Sequence, residues 1–126
     1  MGGRGAKLES SGFRFQEFKS TGEIAGVKVV EPIKRNKNQV RMPYISNTPG
    51  TSYLTLNQEG DKIKEFRQFG QDRFPKLDIH FDDRGHGNPH AIDWKDGQKG
   101  KARSLTQEER IKYAKILEAA GIKGEN

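Results

Sequence analysis

Cysteine is absent from the sequence, so no disulfide can brace the fold, no thiolate can bind zinc and no cysteine can serve as a nucleophile. Long apolar runs are missing as well. Nothing approaches the ~20 residues of a membrane helix, and the first residues lack the apolar core of a signal peptide. No membrane partner and no export address of its own are therefore expected. A cytoplasmic location follows, or delivery into a target cell's cytoplasm as part of a larger secreted protein. Hydrophobic residues are scarce, at 31% of 126, while 32% are charged and 15 are glycine. Such a chain can build one modest core in a single domain, with much of the remainder in loops. Acidic residues number 17 against 23 basic ones, which leaves a net charge of +6. A surplus of that size favours polyanions, nucleic acid first.

What the chain does have is concentrated in one stretch. All three histidines, His80, His86 and His90, fall within eleven residues, and the single tryptophan, Trp94, follows them. If Leu77 to Phe81 is a strand, alternation puts Leu77, Ile79 and Phe81 on a buried face and Asp78, His80 and Asp82 on a polar, titratable one. The strand then gives way to Arg84-Gly85-His86-Gly87-Asn88-Pro89, whose glycines and proline suit a loop that approaches a ligand closely.

Along the rest of the chain, residues 1–11 read as a flexible glycine-rich lead and 12–126 as a single domain. Phe13, Phe15 and Phe18 promise a short element of undecided type. Val27 to Ile33 is β-branched and ends on an edge at Pro32. Lys34-Arg35-Asn36-Lys37-Asn38 is a cationic turn, readable either as a solvated hairpin tip or as a phosphate-contacting loop. Tyr53 to Leu56 and Lys62 to Phe69 flank a glycine turn as a hairpin, although the three-residue spacing of Ile63, Phe66 and Phe69 also allows a helical turn. Lys95 to Lys101 reads as a basic glycine-rich loop. Thr106 with Glu109 forms a capping box that opens a helix over Gln107 to Ala120, with Ile111, Ala114, Ile116 and Leu117 as its apolar stripe and Gly121 as its stop. The expected fold is α+β, a small antiparallel meander of about four strands with this C-terminal helix packed on it.

The pattern Asp78-Ile79-His80-Phe81-Asp82, then Gly85-His86-Gly87-Asn88-Pro89-His90, then a Leu105-Thr106-x-x-Glu109 helix resembles the C-terminal toxin domains of bacterial polymorphic toxins and related prophage proteins. The likeness extends back through the Tyr53 to Phe69 hairpin. It implies a small α+β nuclease-like effector, of the barnase, EndoU, colicin and RelE type, held in check by an immunity protein. Similar domains often carry a second histidine two places after the Pro-His. Here that position is Ile92.

Metal-free RNA cleavage needs a base for the 2′-hydroxyl proton, an acid for the leaving 5′-oxygen and a cation for the phosphorane. Histidine can fill both proton roles near neutrality. His80, His86 and His90 are the candidates, Asp78 or Asp82 could orient an imidazole, and Arg84 or Arg73 could stabilise charge. Lys34, Arg35, Lys37, Arg73, Lys95, Lys99 and Lys101 are the expected nucleic-acid contacts. No cofactor is required. The partners implied are RNA, tRNA among the candidate species, and an acidic immunity protein. Two other readings compete. His86-x-x-x-His90 has a metal-ligand spacing, but Pro89 and the flanking glycines disfavour a helix there, so a metal-dependent DNA nuclease would need a loop to gather His80, His86 and a carboxylate. A non-enzymatic binding module would stack bases on Phe66, Phe69 and Trp94, although such aromatics are more often core.

Overall fold

The computed structural model describes residues 7–8, 16–33, 42–57, 59–81 and 89–121. Strands β1 (Lys7–Leu8), β2 (Gln16–Ile24), β3 (Val27–Pro32), β4 (Ser52–Leu56), β5 (Ile63–Phe69), β6 (Pro75–His80), β7 (His90–Lys95) and β8 (Gln98–Arg103) form one sheet in the order of the chain. Two short helices follow, α1 (Gln107–Lys112) and α2 (Ala114–Ala119). The α+β class is as expected, but seven strands of five residues or more replace about four.

The additional strands are those with the weakest apolar pattern. β8 reads Gln-Lys-Gly-Lys-Ala-Arg and is exposed over nearly its whole length. It is an edge strand that sends no large apolar side chain into the core, so periodicity cannot reveal it. Its signal lies in the turn before it. Asp96 and Gly97 both have positive φ, 52° and 79°, the backbone of a type I′ hairpin, and Asp-Gly is a preferred pair there. Ala25 and Gly26 make the same kind of turn between β2 and β3, with φ of 54° and 82°.

The meander is antiparallel at every step but one. β3 and β4 run parallel, with Lys28 beside Tyr53 and Val29 beside Leu54. A parallel pair cannot be closed by a hairpin, so the chain between them must cross back along the sheet. Residues 42–51, the described part of that crossing, form an irregular layer over one face. Ser46 N–H donates to the Arg73 carbonyl at 3.0 Å and Gly50 N–H to the Gly70 carbonyl at 2.9 Å, which tie this layer to the β5–β6 end.

The sheet is therefore buried on both faces. Leu54, Phe66, Ile79 and Ala91 point to the helix side, where Leu105, Tyr113, Ile116 and Leu117 cover them. Each large apolar side chain buried there contributes roughly 1.5–3 kcal/mol. Phe18, Val30, Met42, Tyr53 and Phe69 form a second cluster under the crossing layer. Asp78, expected on an open polar face, is 0% exposed. Phe66 and Phe69 are each 1% exposed, so they are core and the base-stacking role does not apply to them. Their spacing with Ile63 arises in a strand, not a helical turn. Phe66 and Phe69 face opposite sides, and an irregularity opposite Leu56 returns Ile63 to the helix side.

The capping box forms as expected, with Glu109 N–H donating to Thr106 Oγ1 at 3.1 Å and Thr106 N–H to Glu109 Oε1 at 2.9 Å. The single helix does not. It breaks at Tyr113, whose φ of −105° and ψ of 24° leave the helical region, and whose ring packs on Phe66 at 5.0 Å. The break resets the phase of the stripe. Ile111 consequently faces water, at 68% exposure, and Tyr113 takes a core place beside Ile116 and Leu117. Strand β6 ends at His80 instead of Phe81, though Phe81 N–H still donates to the Lys64 carbonyl at 3.0 Å. Within the expected flexible lead, Lys7 and Leu8 pair with Glu17 and Gln16.

Candidate active site

Strands β5 and β6 carry two complementary polar pairs on the face under the crossing layer. Antiparallel register sets Glu65 opposite His80 and Arg67 opposite Asp78. Residues two apart on a strand share a face, so the four side chains form one square. Arg67 is a bidentate partner of Asp78, donating from Nε to Oδ1 at 2.7 Å and from Nη2 to Oδ2 at 2.9 Å. Its Nη1 donates to the Pro43 carbonyl at 2.9 Å, which pins the crossing layer to the sheet. The guanidinium lies over the Trp94 ring, 4.9 Å from the centroid, so its remaining face meets a π-system and not water.

His80 occupies the outer corner of the square. Its Nε2 is 3.3 Å from Glu65 Oε2 and 3.7 Å from Asp78 Oδ2, distances of an ion pair, but the N–H is aligned with neither oxygen. Asp78 first, then Glu65, raise its pKa from 6.5 to about 9 against the opposing effect of burial. His80 is thus an imidazolium at neutral pH. Burial alone would push the Asp78 carboxyl up. The hydrogen bonds from Arg67, then the nearby His80 imidazolium, outweigh it and hold the group at about 2, with a smaller contribution from the Trp94 indole, whose N–H also falls short of hydrogen-bond alignment. Two cations and two anions balance in a cluster whose inner pair, Arg67 and Asp78, is closed to solvent while His80 stays partly open to it.

On the other side of β6, register sets His90 of β7 directly opposite His80. Opposed residues of such a pair have Cβ atoms about 4.5–5.5 Å apart. Ile92 and Trp94 continue the same face, since Ile92 lies opposite Asp78. Two histidines that stand ten positions apart in the chain are thereby neighbours in space.

Among the described residues, Glu65, Asp78 and His80 are the one group of ligand-type atoms within 4.8 Å of one another. They fit a cation poorly. Both Asp78 oxygens already accept from Arg67, whose positive charge stands where a metal ion would have to approach.

Of the residues expected from sequence, Asp78, His80 and His90 converge. Asp78 does so as the buried support beneath the imidazole and not as a group open to substrate. Arg73 sits exposed in the β5–β6 turn with φ of 72°, and Lys95, Lys99 and Lys101 are exposed on the β7–β8 hairpin. His86, Asp82, Arg84, Lys34, Arg35 and Lys37 lie outside the described residues. Glu65 and Arg67 were not foreseen. Their signal is the shared acid-x-base order of Glu65-x-Arg67 and Asp78-x-His80, which sets opposite charges face to face only when the two strands pair antiparallel. Comparison with protein-family models, with curated proteins and with solved structures finds no match for this chain.

Proposed function

We propose that the chain cleaves RNA without a metal, using His80 and His90 as the proton-transfer pair. The observation that carries this reading is the register that sets the two histidines side by side, with His80 charged by the carboxylates of Glu65 and Asp78. A charged imidazole is a proton donor and not a base at neutral pH. His90 therefore takes the 2′-hydroxyl proton as the 2′-oxygen bonds to phosphorus, and His80 gives its proton to the 5′-oxygen as the phosphorus–5′-oxygen bond breaks. The products are a 2′,3′-cyclic phosphate and a free 5′-hydroxyl. Solvent returns each histidine to its starting state. Until its proton leaves, the imidazolium also opposes the charge that develops on the phosphorane.

A basic effector of this kind suits the toxin-domain resemblance, with an acidic immunity protein as its inhibitor, since complementary fields speed association. RNA is favoured over DNA because the proposed base needs a 2′-hydroxyl to act on.

The test is incubation of the purified chain with RNA and with plasmid DNA, with and without a chelator. Cleavage of RNA alone, unaffected by chelator, with cyclic phosphate ends, is expected. His80→Ala and His90→Ala should each lower it by about 10²-fold or more while RNA affinity persists. Full activity in the double variant, or loss of activity with chelator, would remove the reading.

A further inference from the structure

Three aromatic side chains from separate segments meet beside the Arg67 square. Tyr44 comes from the crossing layer, Phe74 from the β5–β6 turn and Trp94 from the end of β7. Tyr44 is 5.6 Å from Phe74 with the rings at 67°, and 5.8 Å from Trp94 with the rings at 53°. The Tyr44 hydroxyl donates to the Gly97 carbonyl at 3.3 Å, which ties the row to the β7–β8 turn. Phe74 is 39% exposed, whereas Phe18, Phe66 and Phe69 are each 1%. Among the described residues, a fold short of apolar side chains thus leaves one phenylalanine largely in water, at the end of an ordered aromatic row.

Cations surround that row. Lys99 Nζ lies 5.8 Å from the Trp94 centroid, and Arg73 and Lys95 are exposed on the adjoining turn and strand. Among the described residues these three cations enter no ion pair. Of the neighbouring carboxylates, Asp72 meets Lys76 at 3.5 Å and Asp93 meets Arg103 at 2.8 Å, while Asp96 is exposed in the β7–β8 turn. A tilted aromatic row, half-buried at Tyr44 and Trp94 and exposed at Phe74, with cations beside it, suits a ligand that alternates flat π-surfaces with phosphates. Trp94 stands four residues from His90 on the same face of β7, about 13 Å along the strand. A base held here belongs to a nucleotide flanking the cut and not to the one being cut.

We propose that Tyr44, Phe74 and Trp94 form a stacking platform for single-stranded RNA, with Arg73 and Lys99 meeting its phosphates. This deepens the cleavage reading by naming where the flanking strand lies, and it rests on that reading for the identity of the strand. Trp94 is the only tryptophan, so its fluorescence reports the platform directly.

The experiment titrates the full chain with a short 2′-O-methyl oligouridylate, which cannot be cleaved through its 2′-position, and with inorganic polyphosphate. Saturable quenching by the oligonucleotide, weakened by salt and absent or much smaller with polyphosphate, is expected. Phe74→Ala and Phe74→Leu should each weaken binding roughly five- to a hundredfold, with unchanged thermal unfolding in at least the leucine variant. Equal quenching by polyphosphate, or affinity unmoved by both Phe74 variants, would overturn the platform. Ring-dependent binding by a chain that does not cut RNA would uphold the platform and reject the cleavage reading instead.

Discussion

Replacing Asp78 by asparagine removes one charge and almost no volume, and the structure fixes what the rest of the square must then do. Arg67 is 6% exposed and sends two of its donors to Asp78. An amide can accept one of those hydrogen bonds but cannot balance the guanidinium, and its own N–H₂ would face a cation. Breaking a buried pair from one side costs roughly 3–5 kcal/mol, because an uncompensated charge stays behind. A domain of this size has about 5–15 kcal/mol to lose, so Asp78→Asn should shift the urea midpoint far down or leave the chain unfolded at 37 °C. The informative comparison is the double variant Arg67→Met/Asp78→Leu. Removing both partners in favour of apolar groups should return much or all of the lost stability. His80 supplies an independent readout. With its first contributor gone, its titration, followed by NMR, should fall from about 9, with Glu65 still holding it above the ordinary value. A stability loss under about 1 kcal/mol, or a double variant less stable than the single, would refute the view of Arg67 and Asp78 as a closed pair.

Two further outcomes follow from the charged groups. The raised pKa of His80 makes its contribution complete below 6.5 and lost as pH climbs through about 9, whereas the lowered pKa of Asp78 makes its contribution complete above 3.8 and lost as pH falls through about 2. Urea midpoints should thus plateau between about pH 4 and 6.5 as far as these two groups act, with an alkaline decline that His80→Gln abolishes; the His80 share is roughly 3 kcal/mol at face value and nearer 1–2 once its partial exposure is discounted. Arg103 forms bidentate contacts with Asp93, at 2.8 and 3.0 Å, and with Glu109, at 2.9 and 2.8 Å, joining β7, β8 and the capping box of α1. Arg103→Gln should cost roughly 1–2 kcal/mol in denaturant titration, more at low salt than at high, and an effect independent of salt would count against an ionic clamp.

The parts of the fold that were legible are those where a local rule and the tertiary context agree. Thr106 with Glu109 satisfies orphan donors at a helix start whatever the helix later packs on, so the capping box is readable from four residues. Leu77 and Ile79 alternate because one face of β6 meets the helices. That alternation misled on the other face. Polar residues in a strand usually mean solvent, and Asp78 is polar yet buried, because the Arg67 guanidinium, directly opposite on the neighbouring strand, neutralises it. Nothing within the 76–94 stretch announces Arg67. The information sits in β5, in a charge order that matters only once the two strands are paired. Ile111 failed for the converse reason: the stripe assumed an unbroken helix, and the bend at Tyr113 is decided by the contact of its ring with Phe66.

A buried Arg–Asp pair is an expensive element for a chain with so few hydrophobic residues, since apolar groups of similar shape would serve stability as well or better. Its placement gives it another use. Asp78 sits beneath His80, and the face of Arg67 supports Trp94, so one rigid pair fixes an imidazolium on one side and an indole on the other. Pro43 extends the same support to the segment that carries Tyr44. Under the proposed cleavage of RNA, the groups that hold a flexible polyanion in register with a proton donor need their own positions set before binding, because ordering them afterwards would consume binding free energy. On that view the pair is kept for geometry. Its cost in stability is offset by the two apolar layers on either side of the sheet, and the sheet has to be covered on both faces for the square to exist at all.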